Sequence, residues 1–128
     1  MFLEKWQRRW AAEPTCNNTR CFIPEVRENK SLRKWSHQQL TLLAQVITGH
    51  GMFRKHIAHW KDIAPTCQLC GDSDESSWHL WAECPVVSWQ RTVAESFQGA
   101  GWSMEDQVRH FFEDAPLRRL RELNGNLV

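Results

Sequence analysis

Apolar positions three and four residues apart mark most of this chain as amphipathic helix. Leu3 to Ala12 is predicted as a short helix with Trp6 and Trp10 on one face, ended by Pro14. Thr15 to Pro24 is predicted as a loop with an extended piece around Cys21-Phe22-Ile23. Leu32, Trp35, Leu40, Leu43, Val46 and Ile47 then fall on one helical stripe, with Arg33, Lys34, His37, Gln38 and Gln45 elsewhere. Asn29 or Ser31 is the expected cap, and Gly49-His50-Gly51 the stop. Gly49 and Gly51 are expected to permit a tight break, with His50 capping a helix end or packing on the cysteine-rich segment. A second short helix follows, with Phe53, Ile57 and Trp60 inward and Arg54 and Lys55 outward.

Pro65 opens a cysteine-rich segment. Pro85 suits the first position of a helix through Val86, Val87, Trp89, Val93 and Phe97, which Gly99-Ala100-Gly101 breaks. Ser103 and Asp106 resemble a capping box for a helix through Val108, Phe111 and Phe112. Pro116 restarts a last turn or two, Leu117 to Leu123. About half the chain is therefore expected to be helical. The predicted fold is mainly α, a small single domain over residues 1–128 organised around the cysteine-rich segment. Within it, 1–64 is a basic helical part, 65–85 the cysteine-rich module and 86–128 an acidic helical tail.

Composition sharpens this. The 128 residues include eight Trp and no Tyr, more large rings than a core of this size needs, so several Trp are expected at the surface. No apolar run approaches 18 residues, so no membrane partner is expected, and the N-terminal residues lack the pattern of a signal peptide. Five cysteines without a secretion signal read as metal ligands and reduced thiols, in nucleus or cytoplasm. The net charge of +1 conceals an asymmetry: residues 1–61 carry 11 Lys/Arg against 4 Asp/Glu, and residues 62–128 carry 5 against 11. The basic half is a candidate for polyanion contact, although mutual attraction of the halves explains the division equally well.

The chemistry concentrates in Cys67-x-x-Cys70-Gly71, eight intervening residues, His79, four more, and Cys84. Two thiolates two residues apart grip a tetrahedral ion from one side. His79 and Cys84 close it from a short helix expected to begin near Ser73 or Asp74. Three thiolates and an imidazole select Zn2+, and four protein ligands leave no position for water or substrate. The alternative, a redox Cys-x-x-Cys pair, requires a βαβ context that the pattern lacks. Cys16, Cys21, His56 and His59 form a possible second metal site, with free thiols and surface histidines as the simpler reading.

No catalytic constellation is visible. The acidic residues from Asp72 to Glu75 and from Glu105 to Asp114 read as solvated helix faces, and no nucleophile motif or phosphate-cradling glycine loop occurs. The deaminase signature is incomplete, because no His-x-Glu precedes Pro65-Thr66-Cys67. The chain is expected to be non-catalytic. Arg8, Arg9, Arg33, Lys34, Arg54 and Lys55, with Trp6 and Trp10, are instead candidates for binding RNA or DNA. Trp35, Phe53 and Trp60 are assigned to the core by periodicity, and Trp78 or Trp81 is a further possible contact.

Ile47-Thr48-Gly49-His50-Gly51-x-Phe53, followed by Cys67-x-x-Cys70-Gly71, Glu75, His79-Leu80 and Glu83-Cys84-Pro85, resembles the C-terminal region of insect non-LTR retrotransposon polyproteins. That region lies downstream of the reverse transcriptase and RNase H. Trp6-Gln7-x-x-Trp10 and Phe22-Ile23-Pro24-x-Val26 are similar to the stretch joining it to RNase H, so the resemblance covers about residues 5–90. The eight-residue gap before His79 differs from the four of retroviral nucleocapsid knuckles. The resemblance implies a zinc-binding appendage that helps hold template RNA or target DNA during reverse transcription, in a polyprotein or a gene derived from one. It gives Cys16 and Cys21 no fixed counterpart, and the residues after Arg91 carry no recognisable motif. The rival reading is a protein–protein module docking on the neighbouring reverse transcriptase or RNase H domain.

Overall fold

The computed structural model describes residues 2–12, 17–22 and 30–128. Helices α1 (Phe2–Ala12), α2 (Asn17–Phe22), α3 (His37–Thr48), α4 (Arg54–Ile57), α5 (Ser88–Ser96), α6 (Met104–Glu113) and α7 (Ala115–Gly125) carry the fold. Tight turns at Lys30–Lys34, Pro85–Val87 and Phe97–Ala100 and a wide turn at His79–Glu83 link them. Among the described residues the only extended pairing is an isolated antiparallel bridge between Thr66 and Asp74, and no helix is long and apolar enough to cross a membrane. The mainly α reading therefore holds.

Several local expectations change. Cys21 and Phe22 are helical, not extended, while Ile23 lies outside the described residues. Tertiary packing overrides the weak local signal: Phe22 is buried, with its ring edge-on to Trp78 at 5.1 Å. Asn18 on the same helix donates from Nδ2 to the Ile47 carbonyl at 2.7 Å and to Ser77 Oγ at 3.1 Å. It thereby occupies a carbonyl that the end of α3 leaves without a helical partner.

Neither Asn29 nor Ser31 caps α3. Ser31 sits within a tight turn, Asn29 lies outside the described residues, and the helix begins after Ser36. Ser36 Oγ accepts from the Gln39 amide at 3.1 Å, and Gln39 Oε1 accepts from the Ser36 amide at 2.9 Å. At the far end Gly49 adopts a left-handed conformation with φ of 75°. Gly51 is required for space instead: a Cβ there would lie 2.9 Å from the Gln45 Cβ and 3.0 Å from the Phe53 ring.

Phe53 and Ile57 are buried as expected, but Trp60 is 49% exposed. Helix α4 is a single turn, so its stripe does not continue to residue 60. Trp89 is 71% exposed, one of the surface Trp that the composition leads one to expect. The tight turn Pro85–Val87 shifts the helical phase, so that Val87 and Ala94 face inward. Leu40 likewise reaches 39% exposure at the edge of the α3 stripe. Ser103 caps α6 as expected, its Oγ accepting from the Asp106 amide at 3.2 Å. The last helix is longer than expected, because Asp114 caps it from outside and it runs from Ala115 to Gly125. Phe111, Phe112, Leu117 and Leu120 of α6 and α7 are buried with Leu43, Val46, Phe53 and Leu80, so residues 86–128 help build the core.

Candidate metal centre

Pro65 to Glu75 forms a compact loop. The Cys67 amide donates to the Ser73 carbonyl at 2.8 Å, the Gly71 amide to the Cys67 carbonyl at 3.0 Å, and the Glu75 amide to the Pro65 carbonyl at 2.8 Å. Gly71 takes φ of 74°, which an L side chain would resist. The loop turns Cys67 and Cys70 to the same side.

His79 and Cys84 come from a helical turn that starts at Ser77, later than Ser73 or Asp74. On an α-helix, residues five apart are rotated by about 140°. Here the Cys84 amide instead donates to the His79 carbonyl at 2.7 Å, which widens the turn by one residue and brings the two side chains into register. Arg91 holds this unusual turn: its guanidinium donates to the carbonyls of Leu80 at 3.1 Å, Cys84 at 2.8 Å and Trp81. Arg91 carries no sequence signal for this role.

The ligand atoms of Cys67, Cys70, His79 and Cys84 lie within 4.8 Å of one another, and only Cys70 is not buried. Around a zinc ion with bonds of ~2.3 Å, tetrahedral ligand atoms stand roughly 3.8 Å apart, so the group needs only a slight contraction. Cys70 Sγ and His79 Nε2 are already 3.3 Å apart. Burial pushes the Cys67 thiol up to about 12, whereas the backbone amide of Asp72, then that of Ser73, holds Cys70 below its ordinary value. A cation is what would let the buried thiol join the set as thiolate. His79 Nδ1 is buried without a hydrogen-bond partner, and Glu83 Oε1 stands 3.7 Å from it. With Nε2 on a metal, Nδ1 carries the proton and Glu83 is placed to accept it. Glu83→Gln is therefore expected to weaken zinc affinity roughly tenfold, read by competition with a chromophoric chelator.

The chain is similar to a retrotransposon polyprotein. It is 29% identical over 132 aligned residues, 98% of its length, to the retrovirus-related Pol polyprotein from type-1 retrotransposable element R1 of Popillia japonica. The chain spans about half, 50%, of that relative's length. No family model matches the chain, and no solved structure does. The coarse part of the expected resemblance, likeness to a retrotransposon polyprotein, is thus met along nearly the whole chain.

The other candidate residues are more dispersed. Arg8 and Arg9 are exposed on α1, and Arg33 and Lys34 on the tight turn before α3. Lys55 is exposed, but Arg54 is partly buried and donates from Nη1 to the Ala64 carbonyl at 3.2 Å. Trp6 lies in α1, and its side chain is outside the described residues. Trp10 is half-buried with the Arg20 guanidinium 5.4 Å from its ring centre. Trp81 is buried against Phe111 at 5.2 Å and unavailable for stacking, and Trp78 is half-buried against Phe22. Trp60, assigned to the core by periodicity, is instead exposed. Of the possible second metal site, Cys16 lies outside the described residues and Cys21 is exposed. His56 and His59 lie together, with ring centres 6.3 Å apart. Among the described residues the only group of three or more His, Cys, Asp or Glu able to share a metal is the one at Cys67.

Proposed function

We propose that this chain is a zinc-stabilised, non-catalytic module of a retrotransposon polyprotein, or of a gene derived from one, that binds RNA or single-stranded DNA. The observation that carries the reading is the closed group of three cysteines and one histidine in a chain similar along nearly all its length to such a polyprotein. Four protein ligands complete a tetrahedral zinc, so the ion shapes the module and does no chemistry. Binding falls to the exposed cations Arg8, Arg9, Arg33, Lys34 and Lys55, with Trp60 as the ring on which an unpaired base stacks. Nucleus and cytoplasm, where thiols stay reduced, are the compartments that suit the site.

The affinity for a single-stranded oligonucleotide is expected to fall linearly on a log–log plot against salt. Exchanging both Arg33 and Lys34 for Glu should flatten that slope by roughly 0.7 for each lost phosphate contact. Binding that is absent at low salt, or indifferent to salt, refutes the reading. A docking role keeps one supporting observation: Val86 and Trp89, three residues apart, expose apolar side chains to 53% and 71%. Trp89→Ala should leave oligonucleotide affinity unchanged, and a loss there would move the nucleic-acid surface to this side.

A further inference from the structure

A cleft of about 290 Å³ opens between the end of α3 and the α4 turn, lined by Asn18, Thr48, His50, Lys55, His56 and His59. Among the described residues no carboxylate lines it. His50 and His56 stack with ring centres 4.8 Å apart at 17°, and His56 also meets His59 at 6.3 Å and Trp60 edge-on at 4.8 Å. Three basic rings and a lysine converge on one opening, and no described acidic residue meets them there. Nothing in the metal centre uses these rings.

We propose that this cleft is a phosphate-group site, in which His50, His56 and His59 with Lys55 hold one phosphodiester of a bound strand while Trp60 stacks on the adjoining base. That occupant rests on the nucleic-acid reading above. The charge balance explains the choice of ligand. Burial first, then repulsion by His50 and His59, holds the His56 imidazole below its ordinary value. Among the described residues, the titratable groups facing His56 are His50, Lys55 and His59, all bases, and Asn18, Thr48 and Ser76 are neutral. An oxyanion among them reverses the repulsion on His56 and favours its protonated form, so binding takes up a proton there and tightens as the pH falls towards 6. A bare metal fits less well, because His50 and His56 stack face to face and the three histidines do not bring their ring nitrogens together as the Cys67 group does its ligand atoms.

The test follows the histidine ring resonances of the whole, zinc-loaded chain by NMR at pH 6 and fixed ionic strength. Inorganic phosphate and, separately, a single-stranded oligonucleotide are the ligands. Both are expected to move the rings of His50, His56 and His59 and to leave those of His37 and His110 in place. The salt slope for the oligonucleotide should steepen between pH 8 and pH 6 by roughly 0.7 for each imidazolium that meets a phosphate. A His50→Gln, His56→Gln, His59→Gln variant should lose that steepening while keeping its near-ultraviolet Trp dichroism. Rings unmoved by either ligand, with the oligonucleotide still binding in a gel shift, overturn the cleft and leave the binding function standing. Rings moved by phosphate in a chain that binds no oligonucleotide uphold the cleft and overturn the function.

Discussion

Replacing Cys70 by Ser, or removing the metal with a strong chelator, is expected to unfold at least residues 60–90. The reason is the amount of structure suspended from four side chains. The loop from Pro65 to Glu75 is held by a few backbone hydrogen bonds, and the turn at His79–Glu83 departs from ordinary helical bonding. Zinc in small sites of this kind contributes on the order of 10 kcal/mol of apparent binding free energy, which in such domains is folding free energy. That exceeds the whole stability of many domains of about this size. Leu80 and Trp81 on the widened turn lie in the same core as Phe111 and Phe112, so the loss should spread beyond the loop. Near-ultraviolet Trp dichroism reads the outcome. A spectrum unchanged after verified metal removal would show that the cluster has no structural role.

The second large effect is expected at Glu75. Its side chain is fully buried at 0% exposure, contrary to the solvated face assigned to Asp72–Glu75. Oε2 accepts from the Asn124 Nδ2 at 2.7 Å and from the Arg54 amide at 3.1 Å, and Oε1 accepts from the Gln68 amide at 3.2 Å. Asn124 extends the network, donating to the Met52 carbonyl at 2.9 Å and accepting from Gln68 Nε2 at 2.7 Å. One carboxylate thus ties the cysteine loop to α4 and α7. Glu75→Ala removes the acceptor of three donors, the Asn124 amide group fully buried and the Arg54 and Gln68 amides partly so, and should cost roughly 3 kcal/mol, measured by chemical denaturation of the zinc-loaded chain. Glu75→Gln keeps an acceptor oxygen and should cost less. The exposed neighbours Asp72 and Asp74 should tolerate Ala within about 0.5 kcal/mol, and an equal loss at all three positions would contradict the network.

These two sites illustrate what the sequence discloses. Cys67, Cys70, His79 and Cys84 were legible because metal geometry imposes short, fixed spacings on soft ligands. Gly49 as a helix stop and Ser103 as a cap were legible for the same kind of reason, since both act within four residues. Glu75 was not, because its partner Asn124 is 49 residues away, and the Asn124 bond to Met52 spans 72. Arg91 and α2 escaped for the same reason: their roles are carbonyls and rings brought near by folding. Trp60 failed differently. Short turns reset the helical phase, and a stripe extended through such a turn points the wrong residue inward.

What occupies the four-ligand group decides whether zinc shapes this fold. X-ray absorption at the zinc edge, with metal content measured on the same preparation, addresses this directly. The expected result is zinc bound by three sulfurs at ~2.3 Å and one nitrogen at ~2.0 Å, with no water in the shell. A folded chain that carries no zinc, or a shell in which oxygen replaces one of the sulfurs, would contradict it.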